Sequence, residues 1–327
     1  MTATQDAVGQ REAASSTLIE KDGVVELPAG GTIRTYPPPP PGFDPLQAGE
    51  RELLLHGFPA RPADANLLKL WESMMRPTLR LVRPAFQPLD LPRPAPRPFE
   101  DNTTLAGATG PDTIGVKSVN GFWNVPNVYP PGAAKDGVWY STSTFMGTGT
   151  GIGVGNFFKV GVQCRVLTTF GSVVRQFITF CELSPGVAFQ VVALPVSAGD
   201  MVRCSVVYDD ISGATAGTAQ VAVANRTALT GTTFFTFTPP SGNRLPTQFG
   251  LWGAGALAIT DPTKPKMASF GFVFFRVDGA TNLGLSFNAG GGDLFNLLDP
   301  DSPPSLSARA ELGLGDPGLV IVSYSGI

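Results

Sequence analysis

Charge is scarce in this sequence. Lys, Arg, Asp and Glu make up 15% of the 327 residues, and the formal net charge is only −3. The basic residues are scattered, so no concentrated positive surface is available to displace counterions from a polyanion. Nucleic acid is excluded as a partner on that ground. Long apolar runs are missing too: no stretch approaches the ~20 consecutive apolar residues that a membrane-spanning helix requires. Met1 to Ser16 is polar, with no apolar core after a basic start, so no secretory signal is read there. The expectation is a cytoplasmic protein, with secretion by a non-classical route left open.

Residues suited to metal or nucleophilic chemistry are equally thin. His56 is the only histidine and stands beside Gly57. A Ser-His-Asp triad or a multi-histidine metal site would have to use it, and nothing in sequence gathers around it. A turn histidine is the simpler identity. The cysteines, Cys164, Cys181 and Cys204, are odd in number and widely spaced. They form neither a C-x-x-C pair nor a compact disulfide pattern, and buried free thiols are expected. Asp293, Asp299 and Asp301 lie between Gly290 and Pro304. Their spacing matches no calcium-loop template, so a solvated turn region is expected. The sequence implies no metal and no cofactor.

What the chain does have is glycine and proline, 39 and 31 residues. Residues 1–100 read as an N-terminal extension. A short strand at Gly23–Leu27 precedes Gly30-Gly31, and Tyr36 is followed by Pro37 to Pro41. That proline run cannot join a helix or a sheet interior. It reads as a stiff strap lying on its own domain, with a ligand for a partner's aromatic groove as the rival reading. Ala48 to Leu55 predicts a short helix, stopped at Gly57-Phe58-Pro59. A second begins near Asp64, carries Leu67, Leu68, Leu70, Trp71 and Met74 or Met75 at helical spacing, and ends at Pro77. Its apolar stripe is expected to pack on the main domain. Pro84 to Pro98, with further prolines at 88, 92, 94 and 96, cannot be a central strand and marks the boundary.

From about residue 101 to residue 327 the pattern changes to short strands separated by Gly, Pro, Asn and Asp. Phe157–Leu167, Val173–Phe180, Phe189–Leu194, Val202–Tyr208, Ala219–Ala224, Thr233–Thr238, Phe270–Val277, Leu283–Phe287 and Leu319–Ser325 are the clearest. With no helical pattern between them, they predict an all-β, antiparallel double-sheet sandwich. In the first of these strands Phe158, Val160, Val162, Cys164 and Val166 share one face, expected in the inter-sheet core. Lys159, Gly161, Gln163 and Arg165 share the other, expected on a solvated or concave surface. The glycine run Gly147 to Gly155 leads into a strand rather than a helix. It therefore reads as a hairpin rim and not as a phosphate-cradling loop.

Several segments, in order, resemble one family. Gly121-Phe122-Trp123-Asn124-Val125-Pro126 matches a G-x-W-x-V-P segment, and Tyr140 to Gly147 resembles a Y-S-S-T-W-I-G strand. Phe158-Lys159-Val160-Gly161-Val162 stands where L-Q-x-G-V falls, and Cys181-Glu182-Leu183-Ser184-Pro185 resembles W-E-W-x-P. Pro195 to Asp200 matches P-V-S-P-G-D, Ala224 to Thr227 resembles S-N-x-T, and Gly250-Leu251-Trp252 stands where A-E-W is expected. The chain thereby resembles the glutamic endopeptidases, or eqolisins, in a form without a signal peptide. The resemblance implies a jelly-roll, concanavalin-like fold with its active site on a concave sheet face. It also implies a glutamate as general base and acid, and a glutamine that orients the attacking water.

At these positions the sequence departs from the family. The glutamine position holds Lys159 and the glutamate position Leu251, so the dyad is lost; leucine carries no ionisable proton. The family's aspartate falls at Gly149, one tryptophan at Phe145 and another at Leu105. Asp261 and Glu182 are the nearest acidic groups in sequence, and Glu182 is retained at a cleft position. The leading expectation is a pseudo-peptidase, a non-proteolytic binding or structural protein with a repurposed concave groove. An enzyme with altered chemistry through Lys159 and Glu182, a residual acid endopeptidase and a self-assembling structural protein are the alternatives. The expected binding residues are Lys159, Glu182, Phe145, Gly149, Gln163, Leu251 and Trp252, with Phe249 beside Leu251. They suit a small apolar or anionic ligand or a peptide. Strand parity places Trp252 opposite Leu251, which leaves a core role open to it. Oligomeric state is not readable from the sequence.

Overall fold

The computed structural model describes residues 18–63, 65–75, 81–89, 105–110, 115–132, 134–150, 156–184, 186–192, 194–227, 231–255, 268–270, 272–282, 285–287, 294–295, 297–299, 305–313 and 316–324. Three short strands come first, β1 (Glu20–Lys21), β2 (Val24–Glu26) and β3 (Thr32–Arg34), then helices α1 (Glu50–Leu55) and α2 (Ala65–Met75). They are followed by β4 (Phe86–Pro88), β5 (Leu105–Thr109), β6 (Val116–Asn124), β7 (Val128–Tyr129) and β8 (Trp139–Gly149). The long strands β9 (Phe157–Thr169) and β10 (Ser172–Ser184) form a hairpin that continues into β11 (Val187–Val191). Next are β12 (Met201–Asp209), β13 (Thr215–Ala216), β14 (Thr218–Asn225), β15 (Gly231–Thr238), β16 (Leu245–Pro246) and β17 (Phe249–Gly255). The C-terminal part adds β18 (Ser269–Phe270), β19 (Phe272–Asn282), β20 (Leu285–Phe287), β21 (Leu294–Phe295), β22 (Leu297–Asp299), β23 (Ser305–Gly313) and β24 (Asp316–Tyr324).

Two antiparallel sheets hold most of these strands. The larger runs β1-β2-β3-β15-β14-β12-β6-β19-β24-β23-β22, with β20 beside β19. The smaller runs β21-β5-β17-β8-β9-β10-β11-β4. Period-two alternation explains the core between them. Phe158, Val160, Val162, Cys164 and Val166 of β9 share one buried cluster with Val119 of β6, Val206 of β12, Val221 of β14 and Phe235 of β15. The expected inward face of β9 is thus the observed one. All three thiols are free and buried.

The extension is stitched into both sheets. β3 pairs with β15 at one edge of the larger sheet, and β4 pairs with β11 at one edge of the smaller. A proline inside β4 is tolerated because an edge strand has one side free of ladder bonds. Between them lies the Tyr36–Pro41 segment, whose anchor is on its own fold: the Tyr36 hydroxyl lies 2.7 Å from Thr236 Oγ1. Gly57 makes room for that tyrosine, with φ +76 and an added Cβ falling 2.3 Å from the ring. The apolar stripe of α2 packs on the outer face of the larger sheet. Trp71 and Met75 bury with Leu53, Phe58 and Phe234, and Leu68 leans on the same cluster. The Leu67, Leu70 and Met74 side chains lie outside the described set.

Two local expectations need correction. Gly147 and Gly149 belong to β8 rather than to a hairpin rim, because the ladder to β9 extends to Gly149↔Phe157; residues 151–155 lie outside the described residues. Between Gly290 and Pro304, Leu294–Phe295 and Leu297–Asp299 are strands paired with β5 and β23. Ladder pairing with distant segments overrides local turn chemistry there. Asp293 and Asp301 lie outside the described residues, and Asp299 ends β22.

Candidate functional site

The outer face of the smaller sheet gathers the residues singled out above. Register puts Leu251 of β17 opposite Gly147 of β8, Gly147 opposite Lys159 of β9, and Lys159 opposite Glu182 of β10. Abreast residues point to the same side of a sheet, and neighbouring strands lie about 4.8 Å apart. Lys159 and Leu251 are therefore two strand spacings apart, with only a glycine between.

One row away, Phe145 and Phe180 flank Gly161; on the other side Phe249, Gly149, Phe157 and Ser184 stand abreast. Phe145, Phe157, Phe180, Phe249 and Leu251 form a buried cluster of their own, separate from the inter-sheet core, with Leu89 packed against it. Leu89 follows β4 directly, so the extension contributes to this face. Gly149 is where an aspartate would stand by resemblance. A Cβ there would fall 2.7 Å from the Phe157 ring and 2.8 Å from the Phe249 ring. The two phenylalanines occupy the space that a side chain at 149 would need.

Lys159 is not on a solvated surface. It is 8% exposed, and its Nζ lies 3.6 Å from Glu182 Oε2. The same ammonium stands 5.1 Å from the Phe145 ring centroid and 5.3 Å from that of Phe157. Such ring faces attract a cation electrostatically, so the phenylalanine wall and the carboxylate share one charge. Ser184 Oγ donates to Glu182 Oε1, and Oε2 accepts no hydrogen bond. The Lys159–Glu182 contact is an ion pair longer than a hydrogen bond.

Gln163 lies on the face expected to be solvated or concave, and it is not solvated. It is fully buried; its Oε1 accepts from Arg165 Nε at 2.8 Å, while its Nε2 has no partner. The physical reason is register: on this face β9 is covered by rings from its neighbours, which alternation within one strand does not reveal.

Trp252 takes the opposite side of β17. It is fully buried in the inter-sheet core and donates from Nε1 to the Asn120 carbonyl at 3.1 Å. It is thereby removed from the concave-face set. Leu105 opens β5, and Asp261 lies outside the described residues. His56 stands apart from the face, its Nδ1 2.9 Å from the Pro37 carbonyl oxygen. Among the described residues no group of three or more His, Cys, Asp or Glu is arranged to hold a metal, and no helix is long and apolar enough to cross a membrane.

Sequence reasoning missed Phe157, Phe180 and Ser143 as members of the face, whereas Arg165 stands on it as expected. The signal was there in parity: Phe157 is two residues before Lys159, Phe180 two before Glu182, and Ser143 two before Phe145.

A family model for the Peptidase A4 family matches residues 103–304. Among solved structures, scytalido-glutamic peptidase with a transition state analog inhibitor superposes with a TM-score of 0.52 at 16% identity, covering 69% of this chain and all of that one. The same enzyme with a peptide-based transition state analog gives 0.50 at 15% identity over the same shares. Aspergilloglutamic peptidase from Aspergillus niger gives 0.45 at 18% identity, covering 57% of this chain and 99% of its own. At such identities the two superpositions on scytalido-glutamic peptidase speak to the fold alone. No curated protein sequence matches the chain. Membership rests on the family model and on the shared sandwich: the chain belongs to the Peptidase A4 family, the glutamic peptidases called eqolisins.

Proposed function

We propose that this family member is non-proteolytic and that its concave face serves as a binding surface. One observation carries the reading: the row Leu251–Gly147–Lys159–Glu182 presents an apolar side chain where the resemblance calls for a proton-carrying one. Hydrolysis needs a group that takes a proton from water and returns it to the leaving amine. Leu251 can do neither. Lys159, in the partner position, offers hydrogen-bond donors and, while charged, no acceptor for the water. Glu182 is the acidic group at hand, and it is engaged with the ammonium. The rings of Phe145, Phe157, Phe180 and Phe249 fill the neighbouring space, which supports a binding or structural role over turnover.

Incubation of the purified chain with denatured casein at acid pH tests this. No cleavage is expected, and robust cleavage abolished by Glu182→Gln would overturn the reading.

The burial of Lys159 beside Glu182 favours a second reading, an enzyme with altered chemistry through the lysine amine. Against it stand the two ring faces and the carboxylate, which are partners for an ammonium, whereas attack on a carbonyl needs the free amine. Borohydride trapping with a small aldehyde decides it. Selective labelling of Lys159 would establish the amine reading, and labelling confined to exposed lysines would remove it.

A further inference from the structure

Away from the Lys159 row, the concave face holds a second polar group that the peptidase comparison does not use. Ser143 of β8 and Gln163 of β9 stand abreast, and both are fully buried. Cβ atoms of such a pair lie about 5 Å apart. Among the described residues, Gln163 Nε2 and Ser143 Oγ have no hydrogen-bond partner. The amide cannot relieve this by turning over, because Arg165 Nε already donates to Gln163 Oε1 at 2.8 Å. A flip would set donor against donor.

Arg165 lies on the same face, two residues along β9. Arg165 is half-buried, and among the described residues it forms no ion pair. Burial lowers its pKa from the ordinary value, with no carboxylate to offset the effect. Its neighbours in the ladder, Ser141 and Gln176, are half-buried and exposed respectively. The face therefore opens to solvent at Arg165 and closes at Gln163.

These groups share a sign. The terminal guanidinium nitrogens, the Gln163 amide and the Ser143 hydroxyl are all able to donate, and among the described residues no acceptor meets them. Water would not balance the set, because it brings donors as well as acceptors and leaves the guanidinium uncompensated. An oxyanion balances both. We propose that Arg165, Gln163 and Ser143 form a binding site for a small carboxylate, entered past Ser141 and Gln176. A carboxylate fits better than phosphate because one guanidinium matches one negative charge, and its planar fork matches two carboxylate oxygens. The inference rests on the reading of the concave face as a binding surface and gives that surface a ligand class.

Titration of the isotope-labelled full chain with sodium acetate, at ionic strength held constant with sodium chloride, tests it. The expected result is a saturable shift of the Gln163 side-chain amide and Arg165 Nε–H resonances. Arg165→Gln should weaken the apparent affinity at least about tenfold, as expected for loss of a charged hydrogen-bond donor. Gln163→Glu, which turns the donor into a competing carboxylate, should abolish the shift and keeps the test open should Arg165→Gln fail to fold. Absence of saturation, or unchanged affinity in the variants, overturns the site. Saturation by phosphate with no response to acetate overturns the carboxylate assignment. Casein cleavage would defeat the non-proteolytic reading and leave this titration untouched, so the two failures are distinguishable.

Discussion

Lys159 and Glu182 face each other across the β9–β10 ladder at 3.6 Å, beneath a wall of phenylalanine rings. Removing either partner leaves the other charge buried and uncompensated, which in comparable settings costs about 3–5 kcal/mol. Lys159→Met and Glu182→Gln are each expected to destabilise the fold by several kcal/mol. The double variant should lose far less than the sum, since it leaves no orphan charge. Urea unfolding of the four proteins measures the coupling, and additive losses would show that the pair is energetically independent.

The thiols give a prediction of opposite character. Burial pushes the Cys164, Cys181 and Cys204 thiols well above their ordinary values, and Tyr208 is raised in the same way. Folded groups with raised pKa hold their protons at a pH where the unfolded chain has released them. Their stabilising contribution is thus complete below the unfolded thiol value of about 8.5. It declines as pH rises beyond it. Thermal melts should show falling stability above that pH, and a thiol reagent should label the native protein only at the rate of unfolding. Prompt labelling of native protein would contradict the burial.

At the tip of the β9–β10 hairpin, Phe170 adopts φ +48 beside Gly171 at φ +78, with Phe170 97% exposed. A two-residue loop with both φ values positive favours Asn-Gly, and a bulky aromatic in that region is strained. The exposed ring returns almost no packing. Phe170→Asn should stabilise the protein by roughly 0.5–1 kcal/mol, judged by what left-handed strain costs a non-glycine residue. A shift of the denaturation midpoint in the other direction would assign the ring a contact.

Much of this architecture was legible in the chain. The alternation of Phe158, Val160, Val162, Cys164 and Val166 fixed the inward face of β9, and the ordered motifs around Trp123, Lys159, Glu182 and Asp200 marked the family. The burial of Lys159 and Gln163 was hidden, because it comes from rings on three neighbouring strands and so depends on register. The pairing of β1–β3 and β4 with opposite sheets was hidden for another reason. Strands of two or three residues are too short to show a period, and their partners lie up to hundreds of residues away.

Trp252 offers the sharpest test of which side of β17 does what. Its indole lies in the inter-sheet core and donates to the Asn120 carbonyl, while Leu251 points to the outer face of the smaller sheet. Truncation to alanine should destabilise by about 3–5 kcal/mol, the usual cost of deleting a buried large aromatic. Trp252→Phe should keep the fold and lose mainly the indole hydrogen bond, worth about 1 kcal/mol. Acetate titration of that variant should match the parent, because the ring has no share in the face that carries Arg165. A change in affinity without a change in stability would place Trp252 among the binding residues and reverse the assignment of the two faces.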